Sequence, residues 1–399
     1  VGCAPAALSA TFQRIPPNPC HSLVRHSQKE SIRMKQRKRS TRPLQALAAL
    51  AIALGSACGV GPAWSQSNEV VTQDPGGTYG ENLRRLVYDP FTKDTGIKVL
   101  TVQEARGGPR VKAQVEATRT EWDLSFIFDQ EVRLLDPYLA EIDYKKLSPE
   151  AQKTVASLPK EAVRPKGVAL QVIGVALVYN KEAFPSKKYP KTWADFWNVK
   201  DFPGKRCLPQ WSRFVFESAL LADGVPADKI YPVDFERALR KIAEIKPHVV
   251  KWWLTNSQAP QLLLDGEASA CLSYTGPVAR LKKEDANAPL ELTWDQAFTY
   301  YDFFSIPKDA PHYDAALKLL SFRLDAQRAA RLAEATSVAL PSPRVYAAAD
   351  PKLRDYWTNS PEVEKKAIKW NADFWGAKAP DGTTNEEYAQ QKLNQLLAR

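Results

Sequence analysis

Methionine, histidine and cysteine are scarce in this 399-residue chain, at one, four and five residues. Only His248 and His312 lie beyond residue 65, and neither stands in a spacing that gathers metal ligands. No Gly-x-Ser-x-Gly elbow occurs. An enzyme built on this chain would have to work with Asp and Glu alone, and no clear pair of them stands out. Long apolar runs are lacking as well. Beyond residue 65 nothing approaches the ~20 consecutive apolar residues that span a bilayer. The formal charge of +10 looks like a nucleic-acid signal, but it is badly spread. Residues 1–65 hold nine basic side chains and one acid, Glu30, which leaves +2 for residues 66–399. A nearly neutral body lacks the electrostatic footprint of a nucleic-acid binder. What remains is a globular composition, 44% hydrophobic and 25% charged, with length for two ordinary domains.

The basic residues have another use. Met34 opens the run Met34-Lys35-Gln36-Arg37-Lys38-Arg39, and a mostly apolar stretch, Leu44 to Leu54, follows. Ala63-Trp64-Ser65 then puts small residues at the first and third positions before Gln66. Basic, apolar, small, in that order, is the pattern of an export signal. Residues 34–65 are therefore expected to be a signal peptide cleaved at Ser65–Gln66, and residues 1–33 upstream sequence without a structural role. A lipid-modified Cys58 is the competing reading. It ranks second because Gly55-Ser56-Ala57-Cys58 lacks the leucine normally found three positions before such a cysteine. The mature protein is expected to be soluble and exported.

Cleavage leaves two cysteines, Cys207 and Cys271. In an oxidising compartment such a pair is a disulfide candidate. Both stand in short strand-like runs, 205–209 and 268–274, and adjacent parallel strands would bring them within reach. Two buried thiols acting as small apolar residues are the alternative.

Along the mature chain, strand and helix signals alternate. Strands are expected at 69–73, 97–102 and 123–128, with a helix over 78–93 carrying Leu83, Leu86, Val87 and Phe91 on one face. Thr95-Gly96 stops that helix, Gly107-Gly108-Pro109 reads as a turn, and 111–117 as a helix. The pattern restarts with strands at 171–179, 205–209, 249–253, 268–274 and 298–306. Helices are expected at 193–197, 214–222, 234–245 and 259–265, then over 313–335, 361–370 and 386–397. Two such α/β units without a flexible linker suggest two lobes, each around a mostly parallel sheet, packed across a cleft. Ligands of open parallel sheets bind beyond the carboxyl ends of the strands. The loops to watch are then 74–79, 103–109, 128–131, 209–214, 254–258 and 274–277.

Several segments resemble one known family. They are Pro75-Gly76-Gly77-Thr78-Tyr79, the run Pro90 to Val99, Val178 to Phe184, Thr192 to Trp197, and Phe202 to Arg206. Trp252-Trp253 with Ser257-Gln258, Tyr274-Thr275-Gly276, and Ser305-Ile306-Pro307-Lys308 complete the set. Each is weak alone. Their order along some 300 residues behind an export signal resembles the extracellular solute-binding proteins of bacterial ABC importers, in the branch of the spermidine/putrescine-binding proteins. The resemblance implies an α/β, two-lobe type II periplasmic-binding fold with a cleft at the hinge. Residues 66–174 and 297–399 would form lobe 1 and residues 175–296 lobe 2. Two crossing segments, near 170–178 and 295–304, would form the hinge. It further implies a monomer in the periplasm, a small polar solute as ligand, an inner-membrane ABC permease as partner, and neither cofactor, metal nor catalytic residue.

Candidate ligand contacts are weighed against plainer roles. Gly77 and Thr78 sit where backbone N–H groups can hold a polar head group, or merely connect strand to helix, and Tyr79 offers a side chain. Asp129 could pair with a ligand amine or cap the next helix, with Gln130 beside it. Trp211 could stack on a ligand, with Ser212 and Arg213 facing the same cleft. Asn256 and Gln258 could orient a polar ligand, or Asn256 and Ser257 could cap a helix. Tyr274 stands where polyamine binders place an aromatic ring, with Thr275 next to it. Asp302, in an apolar strand, is costly to bury unpaired, which marks it as a ligand counter-ion or a hinge salt bridge. Two departures matter. Gly76-Gly77-Thr78 replaces the aromatic-plus-acid signature of polyamine binders, and Pro277 stands where they often carry an acid. A zwitterionic, opine-like, amino-acid-like or phosphonate ligand would suit this set. Iron binding is disfavoured, since only one tyrosine stands at the turn holding Tyr274. The same fold could instead serve a chemoreceptor or sensor, and an exported enzyme is the remaining alternative.

Overall fold

The computed structural model describes residues 68–104, 107–354 and 356–399. The leader, its cleavage point and Cys58 lie outside the described residues. Ten strands organise the described chain: β1 Glu69–Asp74, β2 Lys98–Gln103, β3 Ser125–Phe128, β4 Val163–Arg164, β5 Gly167–Asn180, β6 Arg206–Pro209, β7 Val249–Trp253, β8 Ala270–Tyr274, β9 Leu290–Ser305 and β10 Ile368–Lys369. β1 and β2 form a parallel pair, while the other eight share one sheet in the order β10-β9-β5-β8-β6-β7, with β3 on β9 and β4 on β5. The expected parallel pairing holds for β1–β2, β6–β7, β6–β8 and β9–β10. The two long strands depart from it. β5 and β9 run antiparallel to each other, β5 is antiparallel to β8, and β9 to β3.

These two strands belong to two hydrophobic cores at once. Val168, Ala169, Leu170 and Val172 of β5 and Tyr301, Phe303 and Phe304 of β9 sit in the first core. Val175 to Val178 of β5 and Phe298 and Tyr300 of β9 sit in the second. The chain therefore crosses between cores at Ile173–Gly174 and at Tyr300–Tyr301, and Ile173 and Tyr300 are register partners. Gly174 is required there, because a Cβ would lie 2.7 Å from Thr275 Oγ1 and 3.0 Å from Thr358 Oγ1.

Local chemistry explains most elements. Gly96 ends the first helical stretch in the left-handed region at φ 71°, returning its N–H to Thr92. A capping box between Thr192 and Asp195 opens the helix Trp193–Trp197. Four elements differ from the sequence expectation. The helix over 78–93 is three segments, Gly77–Leu83, a π turn at Arg84–Tyr88, and Asp89–Thr95. Pro90 has no N–H for the regular ladder, so the chain widens and restarts with the proline in a first turn. Gly107-Gly108-Pro109 is not a turn but the start of the helix Gly107–Glu116. Gly107 packs so closely there that a Cβ would meet Gln73 Oε1 and Ser125 Oγ at 2.3 Å. The helix over 313–335 breaks at Leu324–Asp325, where Asp325 caps the second piece by accepting from Arg328 N. The helix over 361–370 ends at Lys366, and Ile368–Lys369 extend beside β9.

The C-terminal segment also differs from its expected place in lobe 1. Trp370, Ala372, Trp375, Ala389 and Leu393 join the second core. Trp375 Nε1 donates to buried Glu217 at 2.7 Å, which draws this segment onto the helix Val215–Ala222. Among the described residues no helix is long and apolar enough to cross a membrane.

Cys207 and Cys271, register partners on β6 and β8 with Cα atoms 4.5 Å apart, are joined by a disulfide in the second core. It spans 64 residues of sequence, so on the chain-entropy account it stabilises by about 4 kcal/mol. The double variant C207A/C271A should lose roughly that much stability in a denaturant titration, and mass spectrometry without reductant should find the two peptides linked. Free thiols on both would remove the bond from the fold.

Candidate functional site

A cavity of about 650 Å³ opens where the two long strands cross. β9 alternates there: Tyr300, Asp302 and Phe304 line it, whereas Tyr301 and Phe303 do not. β5 adds Gln171 to Gly174. The helix Gly77–Leu83 brings Tyr79, and the end of β3 brings Phe126 and Phe128. Trp211, Arg213, Leu254, Asn256 and Thr275 come from loops or helix starts after β6, β7 and β8, and Tyr274 ends β8.

Two charged groups define its electrostatics. Asp302 is 3% exposed, and its Oδ1 has no hydrogen-bond partner. Burial holds its carboxyl well above the usual range; Arg213 opposes this, while Asp129 and Glu131 add to it. Arg213 is the other pole. Its Nε lies 3.2 Å from Glu386 Oε1 without hydrogen-bond alignment, and its Nη1 is also unpartnered. Its guanidinium lies between the rings of Phe128, 5.9 Å away, and Trp370, 5.8 Å away. Burial works against its charge, but Tyr274, Glu386, Tyr300 and Asp302 together hold the guanidinium protonated beyond its ordinary value.

Aromatic and hydroxyl groups join the poles. Trp211 stands edge-on to Trp253 at 4.5 Å and 6.5 Å from Tyr274, and its Nε1 has no partner. The hydroxyls of Tyr274 and Tyr300 are hydrogen-bonded, and burial raises both. Tyr79 Oη accepts from Gln171 Nε2, and Arg323 also reaches it. The cavity thus presents one acidic side chain with an unpartnered oxygen, one guanidinium with unpartnered nitrogens, and flat apolar walls. That set complements a small molecule with an ammonium at one end and a carboxylate at the other.

The sequence candidates divide. Tyr79, Trp211, Asn256, Tyr274, Thr275 and Asp302 line the cavity; Gly77, Thr78, Asp129, Gln130, Ser212 and Gln258 do not. Gly77 is exposed with φ 57°, and Thr78 is exposed with its carbonyl taken by Asn82. Asp129 is ion-paired to Arg164 at 2.5 Å and lines a different, smaller cavity. Gln130 is buried against Glu386, 3.5 Å away. Ser212 N donates to Gln390 Oε1 at 2.9 Å, and its hydroxyl lies 3.5 Å from the Glu386 carbonyl. Gln258 Oε1 accepts from the N–H groups of Leu254 and Thr255, so it holds the loop that carries Asn256. Arg213, read with Trp211 as facing the cleft, lines the cavity; Gln171 and Tyr300 are cavity residues not chosen from the sequence, and strand alternation could have found Tyr300, two before Asp302.

The chain matches the family of bacterial extracellular solute-binding proteins over residues 87–365. It belongs to that family, and its class is that of the substrate-binding proteins of ABC transporters. The structure is similar to that of an ABC transporter from Rhodopseudomonas palustris CGA009, at a TM-score of 0.74 and 62% identity, over 83% of this chain and 100% of that one. In sequence it is similar to the gamma-aminobutyric acid-binding protein of Pseudomonas aeruginosa, 26% identical over 84% of this chain and 93% of the relative. It is also similar to the spermidine/putrescine-binding periplasmic protein of Escherichia coli K12, 25% identical over 76% of this chain and 86% of the relative.

Asp302 is ionised more easily in the unfolded chain than in the folded one, so the folded state binds the extra proton over the intervening pH range. Stability of the ligand-free protein should therefore fall as pH rises above the unfolded carboxylate value of ~3.9. D302N should unfold at a higher denaturant concentration than the parent at pH 8, with the gap closing towards pH 4. A lower midpoint at pH 8 would show Asp302 neutralised inside the protein.

Proposed function

We propose that this protein captures a small amino-acid-like zwitterion, ammonium towards Asp302 and carboxylate towards Arg213, and delivers it to an inner-membrane ABC permease. The observation that carries the reading is the pair of opposite charges in one cavity, each with unpartnered atoms. A polyamine fits less well. Among the described residues Asp302 is the single acidic residue lining the cavity, and a spermidine or putrescine cation calls for a carboxylate at each end. The gamma-aminobutyric acid named for one relative is a zwitterion of the favoured kind. Opines, which carry amine and carboxylate groups, meet the same requirement.

Ligand held between the two cores shifts the population towards a closed form, which the permease reads. The protein acts as a monomer in the periplasm, after loss of the leader at Ser65–Gln66. No catalytic step is part of this function.

Titration calorimetry with γ-aminobutyrate, putrescine, butylamine and butyrate tests the reading. γ-Aminobutyrate should bind, and the two single-ended analogues should bind at least tenfold more weakly. Arg213→Met should weaken γ-aminobutyrate binding by about 10- to 100-fold, the worth of a charged hydrogen bond. Putrescine binding more tightly than γ-aminobutyrate and several α-amino acids would overturn the assignment.

A further inference from the structure

Phe214, next to Arg213, has φ 66°, in the left-handed region that a bulky side chain rarely adopts. Of the six described residues other than glycine in that region, it alone is buried. Such strain persists only where the surroundings hold it, and it gathers at functional sites. The Phe214 ring, 1% exposed, lies 5.7 Å from each of the rings of Phe298, Tyr300 and Trp370. Tyr300 lines the cleft, and Trp370 backs the Arg213 guanidinium. The turn thus sends the Phe214 ring into the second core while Arg213 enters the cleft.

Glu217 stands behind this turn. Phe214 caps the helix Val215–Ala222, and Glu217 is the third helical residue, from which an acid reaches back to the cap's N–H. Glu217 is fully buried and pairs with no cation among the described residues. Its Oε1 accepts from Tyr231 Oη at 2.8 Å and from Trp375 Nε1 at 2.7 Å, while Oε2 makes no well-aligned bond. Burial pushes the carboxyl up; Tyr231, Trp375 and the N–H groups of Glu217 itself and Phe214 oppose this. An acid is an expensive residue to bury here. A glutamine would offer one acceptor oxygen, whereas a carboxylate offers two, enough for both side chains and the cap.

We propose that Glu217 is a positioning residue for ligand recognition: it fixes the left-handed turn at Phe214 that aims Arg213 at the ligand carboxylate. Glu217 does not line the cavity, so it acts through its neighbours and not by contact. The inference rests on the zwitterion reading, which places that carboxylate at Arg213. It also gives the C-terminal segment a part in recognition, since Trp375 holds Glu217 and Trp370 supports Arg213.

γ-Aminobutyrate and butylamine are titrated calorimetrically into the full mature protein and into E217Q, which keeps one acceptor oxygen and gives up the other. E217Q should weaken γ-aminobutyrate binding by about threefold to tenfold, the worth of one hydrogen bond. Butylamine, which engages Asp302 alone, should change by less than about twofold, and E217Q should add no further loss to R213M. Where E217Q does not fold, E217D, which keeps the charge but is shorter by one methylene, makes the same comparison with a smaller loss. A crystal structure of the ligand-free variant supplies a readout without ligand: the Arg213 guanidinium should leave the gap between Phe128 and Trp370. Equal weakening of both ligands, losses that add to those of R213M, or an unmoved Arg213 overturns the positioning role. Failure of γ-aminobutyrate to bind the parent would instead overturn the zwitterion reading, and the place of Arg213 in the variant crystal would still decide whether Glu217 aims it.

Discussion

The ladder between β5 and β9 is the constraint on which the rest depends. Each strand serves both cores, so the backbone hydrogen bonds that close one core continue without a break into the other. A connection of that kind resists shear but bends where the ladder is irregular. The register shifts at Ala169/Gln171 and Val175/Leu177 flank the crossing on both sides. Bulges of this sort re-aim side chains and loosen pairing locally. Gln171, just past the first shift, is the β5 residue that meets Tyr79. The same ladder fixes which β9 residues face the cleft, because a one-residue slip would exchange Tyr300 and Asp302 for Tyr301 and Phe303.

A buried carboxylate with an unpartnered oxygen is expensive in a folded protein. Nothing in the fold requires Asp302 to be acidic, since its neighbours across the ladder are Gln171 and Phe128. The cost makes sense if a ligand supplies the missing partner. Arg213 shows the same economy: it leans on two rings and an ill-aligned Glu386 rather than on a well-formed salt bridge. Groups left this way gain most when a complementary charge arrives and water leaves, because unmet hydrogen-bonding capacity becomes binding energy.

Much of the fold was legible in the residues. Short strands and capped helices, such as Val249–Trp253 and Trp193–Trp197, fall where the pattern put them because local chemistry decides them. Two of the failures share a physical cause, which is tertiary context. Gly107-Gly108-Pro109 reads as a turn until Gln73 and Ser125 crowd Gly107, and Glu131 and Leu135 crowd Gly108, at a helix start. The run 361–370 is helical in pattern, but the open edge of β9 captures its last residues as a strand. For the cleft, Tyr79, Trp211, Asn256, Tyr274, Thr275 and Asp302 line the cavity, whereas other candidates in the same loops do not. Ser212 and Gln258 have polar side chains in the same loops, and only three-dimensional partners such as the Glu386 carbonyl and the Leu254 N–H show that they are engaged elsewhere.

The placement of the two poles explains why a molecule with both charges suits this cleft better than one with either. Asp302 is seated between residues of the first core, Tyr301 and Phe303, and pairs across the ladder with Gln171 and Phe128. Arg213 directly precedes Phe214 and the helix Val215–Ala222 of the second core. An amine alone would satisfy the first-core side, and a carboxylate alone the second. Neither would then reward bringing the halves together, and a ligand shifts an equilibrium only by its differential affinity for the two states. On the proposed reading, a zwitterion that reaches both poles would gain both charged contacts in one cavity, and the recognition of charge and the drive to close would be the same free-energy term.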